Sequence, residues 1–235
     1  MHFIEKKDGS GLRPTTLADC RRLNLLPSVT TITKTLAAPA LTQWLKRTAA
    51  IAAITTPRLD GESVDDFLDR VIAVDSESIG DAAKQRGSDV HSAIESALGG
   101  KSFSFDWAPF VKPVLDEVAK LGDVVSTEKI MLGKRYAGRC DLICESDECI
   151  TVVDFKTTGA AKLPSKSYPE HRLQLSAYAH CIENAKPIQT ANIYISTARP
   201  GEIKVTLNDN WQDDYAAFDL VVRLWGWVNN FDWKE

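Results

Sequence analysis

The sequence predicts an α/β protein built on a mixed sheet in αβββαβ order, with a helical elaboration ahead of that core and one helix behind it. Three observations point there. Helical stretches fill residues 40–121 with no strand pattern among them, alternating β-rich segments follow over residues 123–157, and a helix and a strand then succeed one another to residue 197. With 235 residues, 44% of them hydrophobic, the chain has material for a sizeable core and is too apolar for disorder. We expect residues 1–75 to be the helical elaboration, 76–207 the core, and 208–235 a helix packed on it.

Taken in order, ALTQWLKRTAAIAAI (Ala40–Ile54) is helical by composition, and Pro57 stops it. Ser63, with Asp66 three residues on, reads as a capping box that opens a second helix through about Val74. A third is expected from about Ser78 to Leu98, ended by Gly99 and Gly100, and a fourth from about Asp106 to Leu121 before Gly122. DVVSTEKIML (Asp123–Leu132), KRYAGRCDLIC (Lys134–Cys144) and CITVVDFKT (Cys149–Thr157) then alternate and are rich in β-formers, which predicts a three-stranded meander. Helical spacing returns from Tyr168 to Ala185, ANIYIST (Ala191–Thr197) reads as a strand, and Gly201–Leu207 as another. Trp211, Tyr215, Phe218, Val222 and Trp225 recur at helical intervals, a stripe that belongs to a core rather than to base stacking.

Five cysteines, an odd number without paired C-x-x-C spacing, argue against a disulfide framework and against a zinc ribbon. The opening MHFIEKKDGS has no apolar signal core, and no run approaches the length of a membrane span. The expectation is a soluble, cytoplasmic protein with reduced thiols and no membrane partner. The net charge of −4 falls wholly after Leu207, where six acidic residues meet two basic ones. In the balanced remainder, Lys156, Lys162, Lys166 and Arg172 face only Glu170, and Lys134, Arg135 and Arg139 form a second basic cluster. Each cluster fits a solvated face as well as it fits contact with a polyanion.

Asp154 and Lys156 share one strand face, since alternate residues do, and a purely structural strand has little use for them there. A tight turn centred between Asp147 and Glu148 would set Asp141 directly opposite Asp154. Two carboxylates ~5 Å apart repel by roughly 3 kcal/mol at an effective dielectric of about 20. A divalent cation between them offsets that repulsion, because Mg²⁺ takes oxygen donors from one or two carboxylates and keeps water for chemistry. Lys156, one pleat along, is placed to meet that water or a substrate. Upstream, His91 and Glu95 are one helical turn apart. Downstream, Gln174 and Tyr178 share a helix face, with His171 as a rival imidazole beside them.

Together, RGSDVH (Arg86–His91), Glu128, GRCD (Gly138–Asp141), DFK (Asp154–Lys156) and QLSAY (Gln174–Tyr178), in that order, resemble the PD-(D/E)XK nuclease superfamily with its restriction-endonuclease-like core. Within it the likeness is to the RecB-type branch. LPSVTTI (Leu26–Ile32), followed by a helix with Trp44 and then one with Arg86 and His91, is similar to the mitochondrial genome maintenance and phage-encoded exonucleases. The resemblance covers roughly residues 26–197. It implies that Asp141 and Asp154 ligate Mg²⁺ or Mn²⁺, with His91 as a further ligand and the Phe155 carbonyl completing the protein's share. It also implies that Lys156 orients the attacking water and stabilises charge on the phosphorane, while Gln174 and Tyr178 hold Lys156 or the phosphate near the cut. Glu128 stays open between a partner of these groups and an exposed strand acid. Ser28, Thr30, Arg86, Lys166 and Arg172 are candidates for phosphate contacts, and Trp44 for stacking a base. No cysteine set matches the iron–sulfur cluster of some relatives, so none is expected.

The function expected from this is a metal-dependent DNA exonuclease acting on single-stranded DNA or single-stranded ends, in replication, recombination or repair. Its leading helices would shape a channel over the meander. A structure-selective endonuclease of the same fold would share every catalytic residue, whereas a non-catalytic nucleic-acid-binding module would have no need of opposed carboxylates.

Overall fold

The computed structural model describes residues 2–4, 13–14, 17–23, 25–36, 39–208 and 210–233. It divides into two compact units, Ala37–Asp89 and the remainder, Met1–Leu36 with Val90–Glu235.

The larger unit opens with strands β1 (His2–Ile4) and β2 (Arg13–Pro14), helix α1 (Leu17–Leu23), strand β3 (Leu26–Pro27) and helix α2 (Val29–Thr33). The three short strands pair antiparallel in the order β2-β1-β3. Helices α1 and α2 are too short for a hydrophobic period to show, so the pattern of residues gives no warning of them. LPSVTTI is a strand running into a capped helix: the Thr31 amide donates to Ser28 Oγ at 3.1 Å.

The smaller unit holds α3 (Pro39–Thr55) and most of α4 (Val64–Leu98). Ala52, Phe67 and Val71 are its buried centre, and Arg70 pairs with Glu62 at 2.7 Å. Ser63 caps the helix as expected, with the Asp66 amide donating to Ser63 Oγ at 3.1 Å, but Asp66 Oδ2 takes the Ser63 hydroxyl at 2.6 Å, so only half of the capping box is formed. The expected break after Val74 is absent. Helix α4 runs unbroken for 35 residues, since Asp75–Ser78 contains neither glycine nor proline to end it.

After a 3₁₀ turn at Phe105–Trp107 come α5 (Ala108–Leu121) and five strands: β4 (Asp123–Leu132), β5 (Ala137–Glu145), β6 (Ile150–Thr158), β7 (Ile188–Ser196) and β8 (Ile203–Asn208). They form one mixed sheet in sequential order. Helix α6 (Pro169–His180) crosses from β6 to β7 and makes that pair parallel, and α7 (Trp211–Val228) follows β8. The expected αβββαβ core is therefore present as α5-β4-β5-β6-α6-β7. Several boundaries move, β7 beginning at Ile188 rather than Ala191 and β8 at Ile203, and two of the shifts have a visible local cause. Lys134 and Arg135 make the β4–β5 turn, closed by the Gly133 amide on the Tyr136 carbonyl at 2.9 Å, so β5 begins at Ala137. Helix α6 stops at His180 rather than near Ala185, where Asn184 Oδ1 takes the Lys186 amide at 2.9 Å and Pro187 disfavours helix before it. At the end of α5, Gly122 has φ 125°, and a Cβ there would lie 2.4 Å from the Glu145 carbonyl oxygen.

One face of the sheet packs on α2, α6 and α7, where Val29, Ile32, Leu175, Phe218 and Trp225 meet Ile143 and Val152. The other packs on Val90–Leu98 and α5, where Ile94, Val111 and Val114 meet Leu142, Val153 and Phe155. Strand β6 feeds both layers, which is why its sequence is a near-continuous apolar run. The aromatic stripe of α7 is core, as expected: Phe218, Val222 and Trp225 are buried, with Trp211 and Tyr215 against them. Tyr136 meets Phe218 edge-on with centroids 5.0 Å apart and donates its hydroxyl to the Ala177 carbonyl at 3.0 Å. No helix of the described residues is long and apolar enough to cross a membrane, and the five cysteines are free thiols.

Candidate active site

The β5–β6 hairpin positions the site. Its turn lacks glycine and is held by a serine: the Ser146 amide donates to the Cys149 carbonyl at 2.9 Å, and Ser146 Oγ accepts the amides of Glu148 and Cys149. Pairing then runs Glu145↔Ile150, Cys144↔Thr151, Ile143↔Val152 and Leu142↔Val153, the expected register. Asp141 and Asp154 are the next positions in it, and there the ladder ends. In place of a strand partner, the Phe155 amide donates to Asp141 Oδ2 at 2.8 Å.

Asp154 is only 1% exposed and is held from two sides. Lys156 Nζ lies 2.9 Å from Oδ1 and 2.8 Å from Oδ2, and Asn192 Nδ2 donates to Oδ2 at 3.0 Å. Lys156 also donates to Gln174 Oε1 at 3.0 Å, and Gln174 Nε2 to the Tyr178 hydroxyl at 3.2 Å. A polar chain thus runs from Tyr178 and Gln174 on α6, through Lys156 and Asp154 on β6, to Asn192 on β7. Gly138 makes room for its first member, since a Cβ there would meet Tyr178 Cε1 at 2.4 Å.

Burial, and then the Asp154 carboxylate beside it, pushes Asp141 up to about 8. Asp141 Oδ2 is 3.8 Å from His91 Nδ1, and burial holds that imidazole below its ordinary range, so it offers a lone pair rather than a charge. The His91 ring stands edge-on to Phe155 at 6.0 Å. His171 is engaged elsewhere, with Nδ1 2.9 Å from the Tyr194 hydroxyl. Burial and the Lys156 charge lower it to about 4. Glu128 lies between Thr127 and Lys129, which pair with Leu142 and Cys140, so it stands across from Asp141. It holds φ 50° in mid-strand, a conformation that is uncommon without glycine, forms an ion pair with Arg139, and has its carboxyl raised by burial.

Among the described residues, no three His, Cys, Asp or Glu side chains are gathered into a ready metal shell. The donors present still suit a hard divalent cation: two adjoining carboxylates, Asp154 buried and Asp141 half-buried, the second raised by burial and then by the charge of the first, and a neutral imidazole beside them. Next to Asp154, Asn192 Oδ1 is buried with no hydrogen-bond partner among the described residues.

The candidate phosphate contacts fare unequally. Ser28 Oγ serves the first turn of α2, while Thr30 is exposed. Arg172 makes a two-point pair with Asp214 that ties α6 to α7, so its guanidinium is already engaged. Lys166 is exposed and has no ion-pair partner among the described residues. Arg86 and Trp44 belong to the smaller unit; Arg86 is exposed, and the Trp44 side chain lies outside the described residues. Asn192 and Tyr194 are the neighbours of the site that the sequence pattern misses. Only the parallel register, Asp154↔Asn192 and Lys156↔Tyr194, reveals them, and no local signal fixes the register of strands joined through a helix.

A model of the PD-(D/E)XK nuclease superfamily matches residues 107–223, which include Asp141, Asp154, Lys156, Gln174 and Tyr178. Residues 107–223 are a PD-(D/E)XK nuclease domain. Domains of this superfamily are nucleases that typically employ divalent metals such as Mg²⁺, in keeping with the carboxylate pair. The nuclease domain spans α5 through most of α7, so His91 precedes it. No curated protein matches the chain. A solved structure described as "Crystal structure of SSO0001" is similar at 14% identity and a TM-score of 0.36, over 78% of this chain and 86% of that one. At that level the likeness adds nothing to the assignment of the nuclease domain.

Proposed function

We propose that the protein is a metal-dependent DNA exonuclease of the RecB-type branch, hydrolysing phosphodiester bonds of single-stranded DNA or single-stranded ends in replication, recombination or repair. The observation that carries this reading is the Asp141–Asp154–Lys156 arrangement. Two carboxylates adjoin where a ladder opens, and an ammonium group lies on the second.

Asp141 and Asp154, with His91 and the Phe155 carbonyl as further donors, would hold Mg²⁺ or Mn²⁺, which would supply Lewis acidity toward water and the scissile phosphate. Lys156, steadied between Asp154 and Gln174, orients the water and donates to the non-bridging oxygen on which charge grows. Gln174 faces Lys156 with its oxygen because its nitrogen is committed to Tyr178. Asn192 fixes the Asp154 carboxylate, and Glu128 adds to the negative potential around Asp141. Water adds to phosphorus, one P–O ester bond breaks, and the departing oxygen takes up a proton, leaving a phosphate end and a hydroxyl end. The charge balance supports a requirement for strand ends. A chain with net charge −4 has little nonspecific grip on duplex DNA, because that grip scales with the phosphates neutralised.

End-labelled linear single strands, circular single strands and blunt duplex, each with Mg²⁺, Mn²⁺ or chelator, test the proposal. Short products are expected from linear strands, slow attack on blunt duplex, almost none on circles, and none with chelator. Rapid cutting of circles would make the enzyme an endonuclease, and binding without cutting in every metal would leave a binding module.

A further inference from the structure

A cavity of about 560 Å³ opens along the β8 edge of the sheet, lined by Lys166, Ser167, Lys204, Thr206 and Asn208 among others. We propose that this groove holds the sugar–phosphate backbone of the DNA strand beside the phosphate being cut, an inference that rests on the nuclease reading above.

Strand register joins the groove to the reactive residues. Asp154, Asn192 and Thr206 form one row across β6, β7 and β8, and Lys156, Tyr194 and Lys204 form the next. Residues directly opposed in a sheet share a face, so Lys204 stands on the Lys156 side. Two strand spacings separate them, ~10 Å. Tyr194 between them is buried under Tyr168 and His171, so a strand with one phosphate at Lys156 reaches Lys204 by crossing over those two side chains.

The lining has the chemistry of a phosphate track. Ammonium, hydroxyl and amide groups all donate to phosphate oxygens, and no carboxylate lines the groove among the described residues. Asp209, between Asn208 and Asn210, lies outside them. Two further cavities of this chain each carry an acid, Asp232 in one and Asp219 in the other. Lys166 and Lys204 are exposed and have no ion-pair partners among the described residues, whereas Arg172, also in the lining, is turned to Asp214. The floor is braced. The Ser167 and Thr206 hydroxyls are 2.7 Å apart, Thr206 donates to the Asn192 carbonyl at 3.4 Å, and the Tyr168 amide donates to the Tyr194 hydroxyl at 3.3 Å. The same β7 residues thus brace the groove and flank the reactive centre.

The test reads binding by the full chain, with Asp154→Asn to stop cutting and chelator present, using a fluorescent single strand of about 15 nucleotides across a salt series. Lys166→Gln with Lys204→Gln should weaken binding about tenfold and reduce the slope of log K against log salt by about 1.4, at roughly 0.7 per phosphate contact on a single strand. Lys112→Gln with Lys120→Gln removes the same charge from α5, over the opposite face of the sheet, and should leave the slope nearly unchanged. Melting temperatures equal to the parent's show that both pairs fold. A groove variant that binds like its parent, or two pairs with equal effects, overturns the groove. So does displacement of the strand by millimolar inorganic phosphate alone, which would mark an anion pocket and not a polymer track. Cutting by the otherwise unmodified chain separates the two readings. Cutting with no role for the groove lysines sinks only the groove, while lysine-dependent binding with no cutting in any metal sinks only the nuclease assignment.

Discussion

The backbone amide of Phe155 is directed at the side chain of Asp141, 2.8 Å from Oδ2, at the step where the β5–β6 ladder runs out. An amide that would otherwise complete a strand pair holds a carboxylate next to another carboxylate. That arrangement is costly without a cation, and its cost is measurable.

Asp141 should link stability to pH. Its native pKa of about 8 lies above the ~3.9 of an unfolded aspartate, so the folded state binds the proton more tightly. The associated stability is complete below about pH 4 and is lost as pH rises through about 8. In chelator, the melting temperature of the unmodified protein should fall across that window relative to Asp141→Asn. Mg²⁺ should restore it at pH 8 by mass action. Parallel pH curves for the two proteins, or no gain from Mg²⁺ or Mn²⁺, would contradict the paired-carboxylate site.

Lys156→Ala should bind DNA and keep the thermal gain from Mg²⁺, yet turn over ~10²–10³-fold more slowly, the usual loss when one donor to a transition state is removed. Gln174→Ala, which only releases Lys156, should lose less. Equal losses in affinity and turnover for Lys156→Ala would show a binding role instead.

The two half-buried imidazoles separate cleanly. His91→Ala should raise the metal concentration needed for half-maximal activity, whereas His171→Ala, whose ring is tied to Tyr194, should leave it unchanged. The reverse pattern would transfer the ligand role to His171.

Asn192→Ala removes a buried donor to Asp154 and should cost about 1–3 kcal/mol in chelator, read from denaturant midpoints. Activity should fall with it, because the carboxylate loses its brace on the β7 side. An active, equally stable variant would show that the contact is idle.

Gly138→Ala forces the Tyr178 ring aside and should destabilise by ~1–3 kcal/mol, with turnover reduced beyond what the unfolded fraction explains. Full turnover in the folded fraction would mean that the Tyr178–Gln174–Lys156 chain tolerates movement.

What could be read from the residues alone was what is local in the chain. The Asp141–Asp154 juxtaposition follows from a two-residue turn and a period of two, so counting from Asp147 and Glu148 reaches it. Gln174 and Tyr178 follow from one helical turn. Asn192 could not be reached that way, because its register with Asp154 depends on how α6 lies across the sheet. Arg172 is a similar case: as a residue type it suits a phosphate, and only the packing of α7 supplies Asp214 as its partner. The merging of two expected helices into α4 has the opposite cause, since polar residues at Asp75–Ser78 resemble a loop without containing anything that stops a helix.

The parallel pairing of β6 with β7 also predicts an order of events during folding. Strands β4, β5 and β6 form a meander of short-range contacts, whereas β7 joins only after the chain has closed a longer loop through α6, and such closure is entropically slower to reach. The two aspartates become neighbours in the early hairpin, and Asn192 arrives with the late strand. The half-made sheet should hold the two aspartates without that brace, and competence to cut should appear only when the parallel seam zips shut. Pulse-labelled amide exchange should accordingly show β5 protected before β7, with activity rising in step with the second phase.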